Sequence, residues 1–337
     1  MGAGGRASGM DMKICVFGIG AVGSILGARL ADTFDDVSLV EQGHQLAAIR
    51  KDGLRLITPQ GDTLCVRPPA TDDPAELGPQ DLVFLCVKAY SLPDVVDALQ
   101  PLLGERTRVV VVQNGIPWWF LQGFDGPWKD KSVQCLDPDG RLGAGIPPRR
   151  TVGCVTYVAS RIVQPGVAHH SLHDRFVVGE PTGPVSGDCR QIADAITQCG
   201  LNGRATENIR EEVWLKLWGN LAFNPISALT GATMDAMCVD PGTRAVVKEI
   251  MGEARDVGRR LGIHFPMDRD TRITNAEALK GFKTSMLQDL EGGRPLEIDT
   301  IVGAVAEIAR LVGVAVPTID TVLALVRQRA HIAGCGG

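Results

Sequence analysis

Short apolar runs alternate with amphipathic stretches through the first third of the chain, beginning at Lys13. The apolar runs are KICVFG, DVSLVE, DLVFLCV and RVVVVQNG, and the amphipathic stretches between them include HQLAAIR and LPDVVDALQPLL. Short buried strands that alternate with helices are typical of a parallel, doubly wound sheet. The following stretch, up to residue 187, is rich in turns and strand-like runs, so we expect it to complete the same sheet with outer strands.

Glycine and proline cluster between Gly179 and Gly187, which indicates a boundary. Beyond it, apolar residues recur at intervals of three and four positions, in stretches that often end at glycine. This spacing is typical of amphipathic helices. We therefore predict an α/β protein, with a doubly wound sheet domain over residues 12–187 and an all-helical domain over residues 188–330. The length of 337 residues agrees with two domains.

The composition is that of an ordinary globular protein, with 45% hydrophobic and 22% charged residues. Because 34 basic and 39 acidic residues leave a net charge of -5, neither nucleic acid nor an anionic membrane is expected as a partner. The nine cysteines lack the spacing of zinc ligands, which favours a reduced, cytoplasmic protein without a metal centre. The chain also shows neither a secretion signal nor an apolar run long enough for a membrane span.

Three histidines, His169, His170 and His173, lie close together in the sequence. Such a group is either a metal site or part of a polar loop. We favour the loop, because the histidines have neither an obvious helical face nor a carboxylate partner.

A glycine motif in VFGIGAVGSILGARL follows the first predicted strand and opens the first predicted helix. In a GxGxxG motif the first glycine makes a tight turn, the second lets the backbone approach a pyrophosphate, and the third allows close helix packing. A glycine-rich structural turn is the alternative. The order of strand, motif, helix and second strand favours a Rossmann-type dinucleotide site, with cofactor contacts from Gly18, Ile19, Gly20, Ala21, Val22 and Gly23.

Three further polar residues follow predicted strands of this domain: Glu41, Lys88 and Asn114. An acidic residue at the position of Glu41 usually accepts hydrogen bonds from the ribose 2'-hydroxyl, which favours NAD over NADP; a solvated surface glutamate is the alternative. Lys88 in CVKAY and Asn114 in VQNGIPWW lie at the edge where ligands gather, although a surface lysine and an ordinary Asn-Gly turn would show the same pattern.

The helical stretch EEVWLKLWGNLAFNPISAL carries Lys216, Asn220 and Asn224 at intervals of four residues. This interval places the three polar side chains in one stripe on an otherwise apolar helix. A buried ammonium is costly unless a negative group meets it, so we expect either a structural ion pair or a cleft that holds an anionic substrate. A solvated helix face is the third interpretation. Pro225 predicts that the helix bends or breaks after Asn224.

These motifs together resemble the ketopantoate reductase family. The resemblance runs through GIGAVG, CVKAY, QNGIP, WLKLWGNLAFNPISAL and KTSMLQDLEGGRPLEID, and so spans nearly the whole chain. It implies a Rossmann domain followed by a helical domain, and reduction of a 2-oxo acid to a 2-hydroxy acid by NAD(P)H. For this family the reaction converts 2-dehydropantoate (ketopantoate) to pantoate in pantothenate biosynthesis.

The resemblance also implies roles for individual residues. Lys216 matches the general acid that protonates the developing alkoxide, and a partly desolvated amine suits that task. Glu297 matches a carboxylate near the nicotinamide ribose and this lysine. The remaining matches are polar. Asn220, Asn224 and Ser285 match groups that hold the carboxylate and hydroxyls of the substrate, Asn114 matches one that touches cofactor and substrate, and Lys88 matches a residue on the cofactor side.

This chain departs from the family in two places. The family is usually NADPH-dependent and carries a basic residue after the second strand, whereas VEQG presents Glu41 and favours NADH. Trp118 and Trp119 in NGIPWWF either reshape the substrate pocket or pack in the core, and core packing is the more frequent role. The departure at Glu41 keeps open a reductase of another branched 2-oxo acid.

Two more distant alternatives are a β-hydroxyacid-type dehydrogenase and a nucleotide-sensing protein without catalytic activity. The segment from Ser285 to Glu297 favours the ketopantoate reductase family over the dehydrogenase. A sensor would not need Lys216 and Glu297 together. The expected partners are a small 2-oxo acid and a second copy of the chain in a homodimer.

Overall fold

The computed structural model describes residues 12–336, and their contacts divide the chain into two compact units. The sheet unit runs up to Gln113 and continues from Arg141 to Ile209, and the helical unit comprises Asn114–Gly140 and the chain from Arg210 onward. The prediction placed a single domain boundary after residue 187. The contacts instead group residues 188–209 with the sheet unit, because a helix and a strand from this segment pack on the sheet.

Within residues 12–336, ten strands form one sheet. In chain order they are β1 Ile14–Phe17, β2 Val37–Val40, β3 Leu54–Ile57, β4 Thr63–Val66, β5 Ala70–Thr71, β6 Gln80–Leu85, β7 Leu103–Val112, β8 Thr151–Gln164, β9 Val167–Gly179 and β10 Asn202–Ala205. Their order is β4-β3-β9-β8-β7-β6-β1-β2-β5, and β10 pairs with β9. In the part of the sheet with the order β8-β7-β6-β1-β2-β5, every pair of adjacent strands is parallel, which confirms the predicted doubly wound sheet.

The sheet unit contains five α-helices among its described residues: α1 Ala21–Thr33, α2 Gly43–Asp52, α3 Leu92–Val95, α4 Arg141–Gly145 and α5 Gly187–Gln198. Leu26 and Leu30 of α1 are fully buried in a core that also holds Leu39 of β2 and Leu54 of β3. The predicted helix in LPDVVDALQPLL is reduced to α3. Turns follow α3, and Pro101 lies farther on, in the short helical turn Gln100–Leu102 before β7.

The helical unit contains α6 Ile209–Thr230 except for its first residue, and then α7 Met234–Val239, α8 Pro241–Arg260, α9 Arg269–Glu277, α10 Ser285–Glu291, α11 Ala304–Val312 and α12 Pro317–Ile332. A π-helical turn, Asp299–Gly303, leads directly into α11. The indole N–H groups of Trp214 and Trp218 in α6 donate to the carbonyls of Ala254 and Met251 in α8, at 3.2 and 2.8 Å. These bonds let both rings be buried without unsatisfied donors.

Two local expectations for the helical unit have clear outcomes. α6 does not break at Pro225 but continues to Thr230, so the prediction of a break was wrong; the buried apolar face outweighs the one hydrogen bond that the proline removes. Trp118 and Trp119 are 6% and 1% exposed, so both pack in the core. None of the helices between residues 12 and 336 has the length and apolar character needed to cross a membrane.

The three histidines lie in a strand, so the polar loop was a wrong prediction. His169, His170 and His173 belong to β9, which forms a long antiparallel hairpin with β8. Backbone hydrogen bonds hold this hairpin together, and they form with polar as well as apolar side chains. The ring of His170 is buried and contacts the carbonyl of His173. Across the described part of the chain, no group of three or more His, Cys, Asp or Glu side chains is arranged to hold a metal ion.

Candidate active site

The glycine motif forms a tight turn between β1 and α1. Gly18 has a φ of +91°, and a Cβ there would lie 2.8 Å from a side-chain carbon of Val87. A Cβ on Gly23 would lie 1.9 Å from the carbonyl oxygen of Gly18, so no other residue fits. At Gly20, by contrast, nothing lies within 4 Å of where a Cβ would be. The turn therefore packs tightly on its protein side and leaves its second glycine open to a close approach, as a pyrophosphate requires.

Glu41 follows the end of β2, and its carboxylate reaches the glycine turn. One carboxylate oxygen accepts from the backbone N–H of Ile19 at 2.6 Å, and the other accepts from the N–H of Gln42 at 2.9 Å. The side-chain amide of Gln45 donates to the carbonyl of Ile19 at 2.7 Å, which further fixes the turn. The sheet unit thus holds a negative charge next to the predicted nucleotide site.

Lys88 lies three residues beyond β6, whose carboxyl end is adjacent to that of β1. The lysine is half-buried and begins a short helical turn, with its carbonyl accepting from the N–H of Ser91 at 2.9 Å. Val87, the residue before it, packs against Gly18. Lys88 therefore shares an edge of the sheet with the glycine turn, as parallel strand order predicts.

The polar stripe on α6 makes two hydrogen bonds to side chains from other parts of the chain. Lys216 and Asn220 are half-buried, and Asn224 is 4% exposed. The side-chain amide of Asn220 donates to the amide oxygen of Asn114 at 3.2 Å. The side chain of Asn224 donates to the Ser285 hydroxyl at 3.5 Å, near the upper limit for a hydrogen bond. Four predicted substrate-binding residues from distant parts of the chain are therefore paired along one helix.

The segment that carries Asn114 is anchored on the π-helical turn. Gly115 has a φ of +77°, and a Cβ on it would lie 2.4 Å from the carbonyl oxygen of Thr300. The N–H of Ile116 donates to that same oxygen at 2.8 Å. Glu297 precedes Thr300 by three residues and is 9% exposed. Its carbonyl accepts from the N–H of Ile301, which places Glu297 at the start of a helix, where the helix dipole favours a carboxylate.

Arg210 fixes the other end of the same segment. Its guanidinium donates to the carbonyls of Phe120 and Gln122, both at 2.6 Å. Burial lowers the pKa of Arg210 below its ordinary value, and Asp125 opposes this shift. At neutral pH the side chain stays charged, so the charge strengthens both hydrogen bonds.

The sequence motifs did not predict two residues that lie beside the stripe, Gly219 and Arg272. Gly219 is a buried glycine within α6, and the guanidinium of Arg272 in α9 lies directly against it. A glycine in the middle of a buried helix is an unfavourable choice, which is the one local signal for this contact. No local feature of the sequence predicts that Arg272 is the residue in contact with this glycine, because the arginine belongs to another helix.

Comparison with known proteins extends these observations to the whole chain. A family model described as ketopantoate reductase PanE/ApbA matches residues 14–122, and the model of the ketopantoate reductase C terminal matches residues 208–330. A 2-dehydropantoate 2-reductase from Mesorhizobium japonicum is 46% identical, over 96% of this chain and 99% of that protein. A second 2-dehydropantoate 2-reductase, from Halobacterium salinarum, is 29% identical over 94% of this chain and 98% of that protein.

A similar fold is found among solved structures. A Ralstonia solanacearum MolK2 protein, described as a candidate ketopantoate reductase, superposes with a TM-score of 0.91 at 41% identity, covering 96% of this chain and 99% of that one. Two matched family models and a 46% identical relative of nearly full length therefore show that this chain belongs to the ketopantoate reductase family.

Proposed function

We propose that the protein reduces 2-dehydropantoate to pantoate with a reduced nicotinamide dinucleotide. The observation that carries this proposal is the stripe on α6, where Asn220 contacts Asn114 and Asn224 contacts Ser285 beside the half-buried Lys216. A stripe of one amine and several amides suits a small anion that bears a ketone. Family membership supports the same reaction, since the Mesorhizobium relative carries the name 2-dehydropantoate 2-reductase.

The chain's own residues fit a dinucleotide. The backbone of the glycine turn is open at Gly20, and α1 begins directly after it, so backbone N–H groups and the helix dipole would hold the pyrophosphate. Lys88 lies at the same edge of the sheet. When bound, the nicotinamide supplies the hydride that the ketone carbon accepts.

Lys216 holds the proton that the substrate oxygen takes as the ketone is reduced. Its positive charge also stabilises the negative charge that grows on that oxygen. Asn114, Asn220, Asn224 and Ser285 orient the substrate through neutral hydrogen bonds, so their effect is mainly on geometry. Glu297, at the start of its helix, supplies a carboxylate as counter-charge to the lysine.

We further propose that NADH is the preferred cofactor. The carboxylate of Glu41 lies at the glycine turn, where it would accept hydrogen bonds from a ribose 2'-hydroxyl and repel a 2'-phosphate. Family resemblance alone favours NADPH. The local charge outweighs the resemblance, because a like charge next to the phosphate opposes binding directly.

Steady-state assays of several branched 2-oxo acids, each with NADH and with NADPH, test the reaction. We expect the highest kcat/KM with 2-dehydropantoate, and a fall in kcat of at least 100-fold or so in Lys216→Ala, which lacks the proton donor and its charge. A higher kcat/KM with another branched 2-oxo acid would favour that substrate instead. Nucleotide binding without any turnover would favour the sensor, and near-normal turnover by Lys216→Ala would remove the lysine from the mechanism.

The cofactor preference is tested by Glu41→Arg, with Gln42→Arg as the matched control at the exposed neighbouring position. We expect Glu41→Arg to raise the NADPH/NADH ratio of kcat/KM about tenfold or more, since it replaces a repulsion by an attraction. Gln42→Arg should change the ratio less. An equal ratio in wild type and Glu41→Arg would show that this carboxylate does not read the ribose. The homodimer and the cytoplasmic location stay predictions.

A further inference from the structure

A second cationic side chain lies beside the Lys216 stripe. Gly219 is in α6, three residues after Lys216 and one before Asn220. A Cβ at Gly219 would lie 3.0 Å from one terminal nitrogen of Arg272 and 3.6 Å from its Nε. Arg272 belongs to α9 and is half-buried. Its guanidinium therefore rests on the surface of α6 at the point where the helix has no side chain.

This contact point neighbours Lys216, at the edge of the stripe. Residues three and four positions apart on a helix are neighbours, with Cβ atoms roughly 5–6 Å apart. The guanidinium of Arg272 consequently lies within about 9 Å of the Cβ of Lys216, a distance that the two long side chains and a small ligand span easily. Two cations from different helices thus flank one patch of α6.

The glycine has no conformational reason to be there. Its backbone is helical, and glycine is a poorer helix former than alanine. A methyl group at this position would press on the guanidinium at a distance tighter than most Cβ contacts. The absence of a side chain at Gly219 is therefore what allows Arg272 to lie directly against α6 next to Lys216.

We propose that Arg272 supplies a cationic contact to the carboxylate of the 2-oxo acid, in addition to the neutral hydrogen bonds expected from Asn220, Asn224 and Ser285, and so helps to decide which end of the substrate faces Lys216. The inference rests on the proposed function, in which Lys216 meets the ketone oxygen. In a 2-oxo acid the carboxylate and the ketone are on adjacent carbons, so a carboxylate-binding group must lie close to the proton donor. A guanidinium suits this task because its planar fork binds a carboxylate through two parallel hydrogen bonds. Its five donors allow it to keep its protein contacts as well.

The chain offers a matched control in the same helix. Arg269 of α9 lies against Gly252, a buried glycine of α8, where a Cβ would be 2.7 Å from a terminal nitrogen of the arginine. This arginine also donates to the carbonyl of Lys248. The two pairs share the same packing, but α8 carries none of the predicted site residues.

The test compares Arg272→Ala, Gly219→Leu and Arg269→Ala with the wild type, using 2-dehydropantoate and NADH. We expect Arg272→Ala to raise the KM for 2-dehydropantoate about tenfold or more, while the KM for NADH stays within twofold. In Gly219→Leu the leucine side chain displaces Arg272 without removing it, so this variant should also raise the KM for 2-dehydropantoate. Arg269→Ala should leave it unchanged. Millimolar guanidinium in the assay should restore part of the kcat/KM of Arg272→Ala, a rescue that lost packing would not show.

Several outcomes would overturn the inference. A KM within twofold of wild type in both Arg272→Ala and Gly219→Leu would exclude a carboxylate contact. Arg272→Ala could instead have a lower melting temperature, equal losses of kcat/KM for 2-dehydropantoate and NADH, and no rescue by guanidinium. That result would show that the arginine has only a structural role. If Arg272→Ala does not fold, the KM of Gly219→Leu decides. A wild-type protein that reduces no 2-oxo acid would instead refute the proposed function, and this inference with it.

Discussion

Gly115→Ala is the sharpest test of how the site is assembled, because this glycine holds the Asn114 segment against the π-helical turn. A Cβ at residue 115 would lie 2.4 Å from the carbonyl oxygen of Thr300, so the two backbones must separate by about 1 Å to reach ordinary contact at 3.4 Å. The φ of +77° adds strain, since a left-handed conformation costs an alanine about 1–2 kcal/mol. The separation also weakens the hydrogen bond from Ile116 to Thr300, worth about 1 kcal/mol.

These contributions predict that Gly115→Ala lowers the free energy of unfolding by about 2–4 kcal/mol, a large share of a typical total. A shift of 1 Å in a substrate-positioning group can cost about 100-fold in rate, so kcat/KM for 2-dehydropantoate should fall on that order. Chemical denaturation followed by tryptophan fluorescence measures the stability. Steady-state kinetics measures the rate.

Gly140→Ala is the matched control. Gly140 has a φ of +72° but nothing within 4 Å of its missing Cβ, so alanine there meets the backbone strain without the clash. The difference between the two variants isolates the contact with Thr300. Equal stability losses in both variants, or normal kcat/KM in Gly115→Ala, would refute this account of how Asn114 is held.

Two further predictions concern the glycine turn and helix capping. Gly23→Ala should weaken NADH binding more than tenfold or so, because its Cβ would lie 1.9 Å from a backbone carbonyl oxygen of the turn; an unchanged Kd from fluorescence titration would contradict this. Hydrogen bonds from the backbone N–H and the hydroxyl of Thr271 lower the pKa of Asp268 from its ordinary value of 3.8. The stabilisation of the folded protein by the ionised Asp268 is therefore complete above its ordinary pKa of 3.8 and is lost as pH falls through its lower pKa in the folded state. The higher Tm of wild type relative to Asp268→Asn should therefore disappear in strong acid. An advantage that persists there would show that the charge is not its source.

The local pattern of the chain was sufficient for the central strands, the glycine turn and the stripe on α6. Each of these features depends on residues within a few positions of one another. Strand alternation and helical spacing act over such distances, and the glycine motif is itself a local backbone requirement. The strands β3, β4, β5 and β10 escaped prediction. They are partly exposed, unlike the equally short but fully buried β1 and β2, so they carry a weaker apolar signal.

The sequence by itself determined that Lys216, Asn220 and Asn224 share one helix face, since helix geometry alone requires it. Only the tertiary structure decided what meets that face. Asn114 lies 106 positions from Asn220, and Ser285 lies 61 positions from Asn224. The contact between Arg272 and Gly219 also depends on how one helix packs on another. Such pairs result from the packing of many buried side chains at once, which residue spacing does not encode.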